Sequence, residues 1–214
     1  MIDSRERIAA RAAKELRPGE VVNLGIGIPS LIPAFLEPGS DVVLHTENGL
    51  LGVGPRPGAD ALDPDDIDAA KQPVTALPGA AYFDSASSFA MIRGGHVDVA
   101  VLGALEVSAR GDIANWAVPG KSVLGVGGAM DLVVGARRVI VTMTARSSSG
   151  VSKVVGECTL PLTAPAAADT IVTELAVFRV RDGGLVLVEV LEGATLDDVA
   201  AATGASYDVE LESR

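Results

Sequence analysis

The chain has 214 residues, a formal net charge of −11 and no basic tract, which argues against nucleic acid or an anionic membrane surface as a partner. Hydrophobic residues make up 48% and aromatics 3%, enough for one good core, and no apolar run reaches the ~18 residues of a membrane-spanning helix. The opening "MIDSRERIAA" is charged and lacks the apolar segment of a secretory leader, and a single cysteine, Cys158, excludes an internal disulfide, so a cytoplasmic protein is expected.

In chain order, "DSRERIAARAAKELRPGE" predicts a helix capped by Asp3 or Ser4. Ile8, Ala12 and Leu16 form its apolar stripe, and Pro18-Gly19 stops it. "VVNLGIGIPS" reads as a strand, a glycine turn and a helix start near Ser30, and "DVVLHTE" as the next strand. Residues 54–73, rich in Pro and Asp, predict a long surface loop with at most one helical turn, a size of loop that is often functional. "SFAMIRGG" predicts a short helix closed by glycine, "VDVAVLGALEV" one strongly apolar strand, and "GDIANWAVPGK" a shorter strand and turn. "GVGGAMDLVVGAR" is a glycine turn entering a helix, and "RVIVTMT" another buried strand. "ARSSSGVSK" reads as a flexible turn. "AVFRVRDGGLVLVEV" is a hairpin, and "TLDDVAAATG" a helix capped by Thr195 and ended by Gly204. No repeat or linker interrupts this alternation, so residues 1–214 are expected to form one α/β domain, an open, mostly parallel sheet covered by helices on both faces.

Four features could carry chemistry. "GIGIP" at 25–29 resembles half a dinucleotide fingerprint but lacks the third glycine, so a tight strand-to-helix turn is the simpler reading. His45 and His96 have no second His or Cys at ligand spacing, which argues against a metal. No Gly-x-Ser-x-Gly elbow is present, and Cys158 reads as a small core residue. Glu47 stands apart: "LHTENG" places a carboxylate where an apolar strand ends in a turn, the position at which open α/β sheets hold their ligands. His45, two residues earlier, points to the same side. The "GGAM" turn at 127–130 offers backbone N–H groups that could receive an oxyanion.

Taken together, "VNLGIGIP", "ENGLLGVGP", "LPGAAYFDSASSFAMIRGGHVDVAVLGALEVSARGDIANWAVPGK", "GVGGAMDLVVGA", "CTLPLT" and "AVF" closely resemble the β subunit of the 3-oxoacid coenzyme A transferases, the class I CoA transferases, over about residues 21–207. The resemblance implies a CoA-transferase-like fold, an α-subunit partner in a hetero-oligomer, and CoA as a substrate with no permanently bound cofactor. It implies transfer of CoA from succinyl-CoA to a 3-oxo acid such as acetoacetate or 3-oxoadipate. It makes Glu47 the nucleophile, Gly128 a backbone oxyanion donor, and Asn23 and Lys71 contacts to the pantetheine region of CoA. Gly49, Gly52 and Gly54 would then let the substrate approach and the backbone turn. The chain departs from the family pattern at Ala145, where many members carry His, in "ARSSSGVSK", and at Thr170, where members often have Arg. Two rival readings are a sugar-phosphate isomerase or deaminase of related architecture, for which no clear phosphate loop is found, and a non-catalytic paralogue that only binds a partner.

Overall fold

A computed structural model describes residues 3–120 and 125–212; Lys121, the end of "GDIANWAVPGK", lies outside them. Its main sheet is built from β1 (Val21–Leu24), β2 (Val43–Thr46), β3 (Leu50–Val53), β4 (Ala76–Tyr82), β5 (Val99–Gly103), β8 (Arg138–Thr142), β10 (Thr170–Val172), β11 (Ala176–Arg181), β12 (Gly184–Val190) and β13 (Asp208–Val209). These ten strands lie in the order β13-β12-β11-β10-β8-β5-β1-β2-β3-β4. The central run β10-β8-β5-β1-β2 is parallel throughout, while β3 and β4 on one side and β11 and β12 on the other are antiparallel. A small second sheet is made by β6 (Glu106–Ser108), β7 (Ile113–Ala114) and β9 (Val154–Val155), with β6 in the middle.

Side-chain alternation along the central strands divides the core in two. From β5, Val99 and Val101 face a cluster with Ile8, Ala9 and Ala12 of α1 (Ser4–Ala13). Ala100 and Leu102 face the opposite cluster, with Ile92 of α2 (Ser85–Arg93), Leu132 and Val133 of α3 (Ala129–Gly135) and Val199 of α4 (Leu196–Ala202). Helices therefore cover both faces, as the alternation of strand and helix signals predicts.

Local chemistry sets the boundaries. Asp3 caps α1, its N–H held by the Glu6 carboxylate at 3.2 Å, and Asp84 caps α2 by accepting from the Ser87 N–H at 2.7 Å. Thr195 caps α4. α1 is shorter than its apolar stripe, because 3₁₀-type bonds from Glu15 and Leu16 tighten its end before Pro18-Gly19. Asp182 and Gly183, both left-handed, close the β11–β12 hairpin. The helix start near Ser30 is a 3₁₀ segment, Pro29–Phe35, and the long loop holds one 3₁₀ turn, Ala59–Ala61. "ARSSSGVSK" is a closed turn in which the Ser147 N–H donates to the Val151 carbonyl.

The strands differ from the sequence expectation in several places, two of which are instructive. "VDVAVLGALEV" is not one strand: β5 ends at Gly103, and Glu106–Ser108 turns into the small sheet. An apolar run marks burial, not which sheet buries it. β4 gives no strand signal, because Pro78 and Gly79 interrupt it, yet it pairs with β3 at the edge of the sheet, where a missing N–H is tolerated.

At Gly135 the α2–α3 crossing leaves no room, since a Cβ there would land on the Ile92 carbonyl oxygen. Gly135→Ala should destabilise the chain by roughly 1–3 kcal/mol, read as a lower midpoint in urea unfolding with an unchanged slope.

Candidate active site

The chain order of the parallel strands reverses between β1 and β5: β2 lies on one side of β1, and β5, β8 and β10 on the other. Crevices at such switch points open at the carboxyl ends of the strands. A cavity of about 860 Å³ lies there, within the range of small-molecule sites. Gly25–Ile28 after β1, Glu47 after β2, Leu102–Leu105 at the end of β5 and Thr142–Thr144 at the end of β8 line it. The turn Gly125–Ala129 forms another wall.

Glu47 is half-buried in the turn that leaves β2, and this turn is tied down on two sides. The Gly49 N–H donates to the Thr46 carbonyl at 3.0 Å, and the Phe83 N–H to the Gly49 carbonyl at 3.0 Å. Asn48 Nδ2 donates to the Ile67 carbonyl at 2.8 Å, and the Ala69 N–H to Thr46 Oγ1 at 2.8 Å, so the long loop grips the turn from outside. Asn23, fully buried on β1, donates from Nδ2 to Glu47 Oε2 at 3.0 Å. The same nitrogen lies 3.1 Å from His45 Nδ1, and His45 Nε2 lies 3.1 Å from Ser88 Oγ on α2. His45 and Glu47 thus converge on one amide, as their two-residue spacing predicts.

Gly128 is the residue before α3, with φ −81° and ψ 0°. A Cβ built on it would sit 3.0 Å from Phe89 Cζ and 3.6 Å from Glu47 Cγ, which places the start of α3 directly beside the carboxylate. The first N–H groups of a helix have no intrahelical partner. A carboxylate facing the backbone N–H groups of a helix start across one cavity is an arrangement suited to acyl transfer.

The structure brings Glu47, Gly128 and Asn23 together, but neither Asn23, which is fully buried behind Glu47, nor Lys71 lines the cavity. Lys71 is exposed in the long loop and adopts a left-handed conformation, φ 60°, two residues beyond the Ala69 anchor. Gly49 and Gly52 have positive φ, and with Gly54 they admit β4 rather than a substrate. A Cβ at Gly49 would strike the Phe83 carbonyl, one at Gly52 would lie 3.1 Å from Ala80, and one at Gly54 would strike Thr75 Oγ1.

Sequence reasoning missed Ser88 and Lys153. Ser88 looks like any helix serine until α2 docks it under His45. Lys153 sits in a segment that reads as a flexible turn, yet it lines the cavity, and burial lowers its pKa despite the attraction of Glu174. Cys158 is half-buried, and burial, with Glu106 and Asp112 nearby, pushes its thiol up to about 11, so it stays protonated at neutral pH. His96 is exposed and lies three residues before β5. Ala145 is buried just beyond β8 with its N–H on Glu174, and Thr170 accepts from Arg179 at 2.7 Å. Among the described residues no cluster of three or more His, Cys, Asp or Glu could hold a metal, and no helix is long and apolar enough to cross a membrane.

The Coenzyme A transferase family profile matches residues 5–202. The beta chain of the acetate CoA-transferase of Escherichia coli K12 is 50% identical over 97% of this chain and 95% of its own length. The B chain of a succinyl-CoA:3-ketoacid coenzyme A transferase of Helicobacter pylori is 50% identical over 97% of this chain and all of its own. Among solved structures, an acyl-CoA transferase of Escherichia coli O157:H7 superposes with a TM-score of 0.77 at 24% identity, over 97% of this chain. This chain spans only 42% of that longer protein.

Proposed function

We propose, because this chain belongs to the coenzyme A transferase family, that it is the β subunit of a two-subunit enzyme moving CoA from succinyl-CoA to a 3-oxo acid such as acetoacetate or 3-oxoadipate. The observation that carries this reading is the juxtaposition of Glu47 with the Gly128 turn in the switch-point cavity. Relatives similar over nearly their whole length are named as the second of two kinds of subunit, which supports an α subunit as partner in a hetero-oligomer. Residues 1–214 act as one domain, in the cytoplasm.

Glu47 attacks the thioester carbonyl, the C–S bond breaks, and CoA leaves as a thiolate, giving an acyl-glutamyl anhydride. The thiolate then attacks the glutamyl carbonyl, the C–O bond breaks, and the first acid departs as its carboxylate. The resulting glutamyl-CoA thioester keeps the energy of the original bond. A second carboxylate reverses the two steps, so the kinetics are ping-pong. Each step places negative charge on a carbonyl oxygen, and a backbone N–H at Gly128 receives it. Lys71 contacts the pantetheine region from the long loop, outside the cavity of this chain, and Lys153 gives the cavity a cation for the carboxylate of the acid. Asn23, fully buried with its amide on Glu47 and His45, serves the nucleophile rather than CoA. Water must be kept out for the thioester to survive.

The second oxyanion donor and the rest of the CoA site come from the α subunit. Purified alone, the chain should transfer CoA at least about 100-fold more slowly than with its α subunit, the scale of losing one oxyanion donor. Full activity from this chain alone would overturn the two-subunit reading.

A further inference from the structure

Asn23, His45 and Ser88 form a buried row leading to Glu47, with relative exposures of 0%, 4% and 0%. One amide nitrogen serves two acceptors: Glu47 Oε2 at 3.0 Å and His45 Nδ1 at 3.1 Å. An amide nitrogen carries two hydrogens, so both contacts can be made at once, provided His45 Nδ1 is unprotonated. The imidazole proton then sits on Nε2 and is donated to Ser88 Oγ. Burial favours this neutral ring, pushing the His45 pKa down to about 4. Phe83 stacks on the ring at 5.9 Å and 12°, and the Asp84 cap begins the helix that carries Ser88.

The opposite amide orientation would turn Oδ1 of Asn23 toward both the carboxylate and an unprotonated Nδ1. In the observed orientation Oδ1 has no partner among the described residues. Asn23 Oδ1 therefore does not set the orientation of its amide; the two acceptors do. We propose that His45 and Ser88 are positioning residues that lock the Asn23 amide with its nitrogen toward Glu47, and that this locked amide orients the carboxylate for attack. The inference rests on the reading of Glu47 as nucleophile.

The test uses the complex with the α subunit and follows formation of the glutamyl-CoA adduct on Glu47 by intact mass in a single turnover. Melting temperature, kcat and KM are measured beside it. Asn23→Ala should slow adduct formation about 100-fold, and His45→Leu about tenfold, through kcat rather than KM. His45→Asn, whose Oδ1 can stand near the Nδ1 position as acceptor, should recover most of the loss. The decisive variant is the double one. Because His45 acts through Asn23, His45→Leu should add nothing to Asn23→Ala. If His45→Leu does not fold, Ser88→Ala, which leaves the ring in place, carries the same cycle: a several-fold loss alone and none in the Asn23→Ala background. A merely structural role gives a lower melting temperature with wild-type adduct rates per folded complex, or losses that multiply in the double variant, and either result overturns the inference. A wild-type complex that turns over without an adduct on Glu47 overturns the nucleophile reading itself, and the inference with it.

Discussion

Glu47→Ala and Glu47→Gln complexes should lose CoA transfer on the order of 10⁶-fold, the scale on which removing a covalent nucleophile acts. Neither substitution leaves a group able to form the anhydride. The fold should survive, because Glu47 is half-buried and its turn is held by backbone and Asn48 contacts that do not use its side chain. Glu47→Gln keeps nearly the same shape, so it separates loss of the nucleophile from loss of packing. Borohydride reduction of the wild-type intermediate should mark this residue, and neither variant should be marked. Substantial transfer by the Glu47→Ala complex would refute the assignment.

Gly128→Val should lower kcat by about 100-fold or more, with a much smaller effect on melting and on assembly. The dihedral angles at Gly128 are open to any residue, so the expected cost comes from crowding alone. A Cβ already meets Phe89 Cζ at 3.0 Å and Glu47 Cγ at 3.6 Å, and the branches of valine reach further. Either Phe89 gives way or the α3 turn and Glu47 move apart. The competing reading is that Gly128 serves only to seat α3 against α2. On that reading the variant melts early and turns over normally per folded complex, and that pair of measurements would remove the oxyanion role.

Much of this arrangement is legible in the chain. Alternation of apolar runs with capped helices announces an α/β sheet, and the carboxylate at the end of "VVLHTE" announces the mouth of a crevice. Asn23 can be named only by resemblance, since an asparagine inside an apolar strand carries no signal of what it faces. Ser88 and Lys153 are invisible because their meaning comes from docking across long sequence separations: α2 onto β2, and the 147–153 turn onto the cavity. β4 is hidden because edge position, which excuses Pro78, is a property of the assembled sheet. The glycines after Glu47 suggest room for a substrate, whereas they make room for β4, and residue type alone does not distinguish the two.

The carboxylate of Glu15, just beyond α1, bears on how the chain reaches this state. Burial alone would raise its pKa, but hydrogen bonds from Arg179 and Arg11 outweigh that and hold it below the usual range. Arg11 itself reaches Glu189 at 2.7 Å, and Arg138 Nη2 donates to the Glu15 backbone carbonyl at 2.9 Å. Most of these partners lie more than a hundred residues downstream. A ribosome makes α1 with Arg11 first, but Arg138 emerges only with β8 and Arg179 only with β11. An acid buried without its arginines is strongly unfavourable. The full set of ion pairs around Glu15 is therefore complete only late in synthesis, once β11 has been made. Chains whose packing is incomplete expose apolar surface and are prone to aggregate, so that interval is where chaperone cover matters.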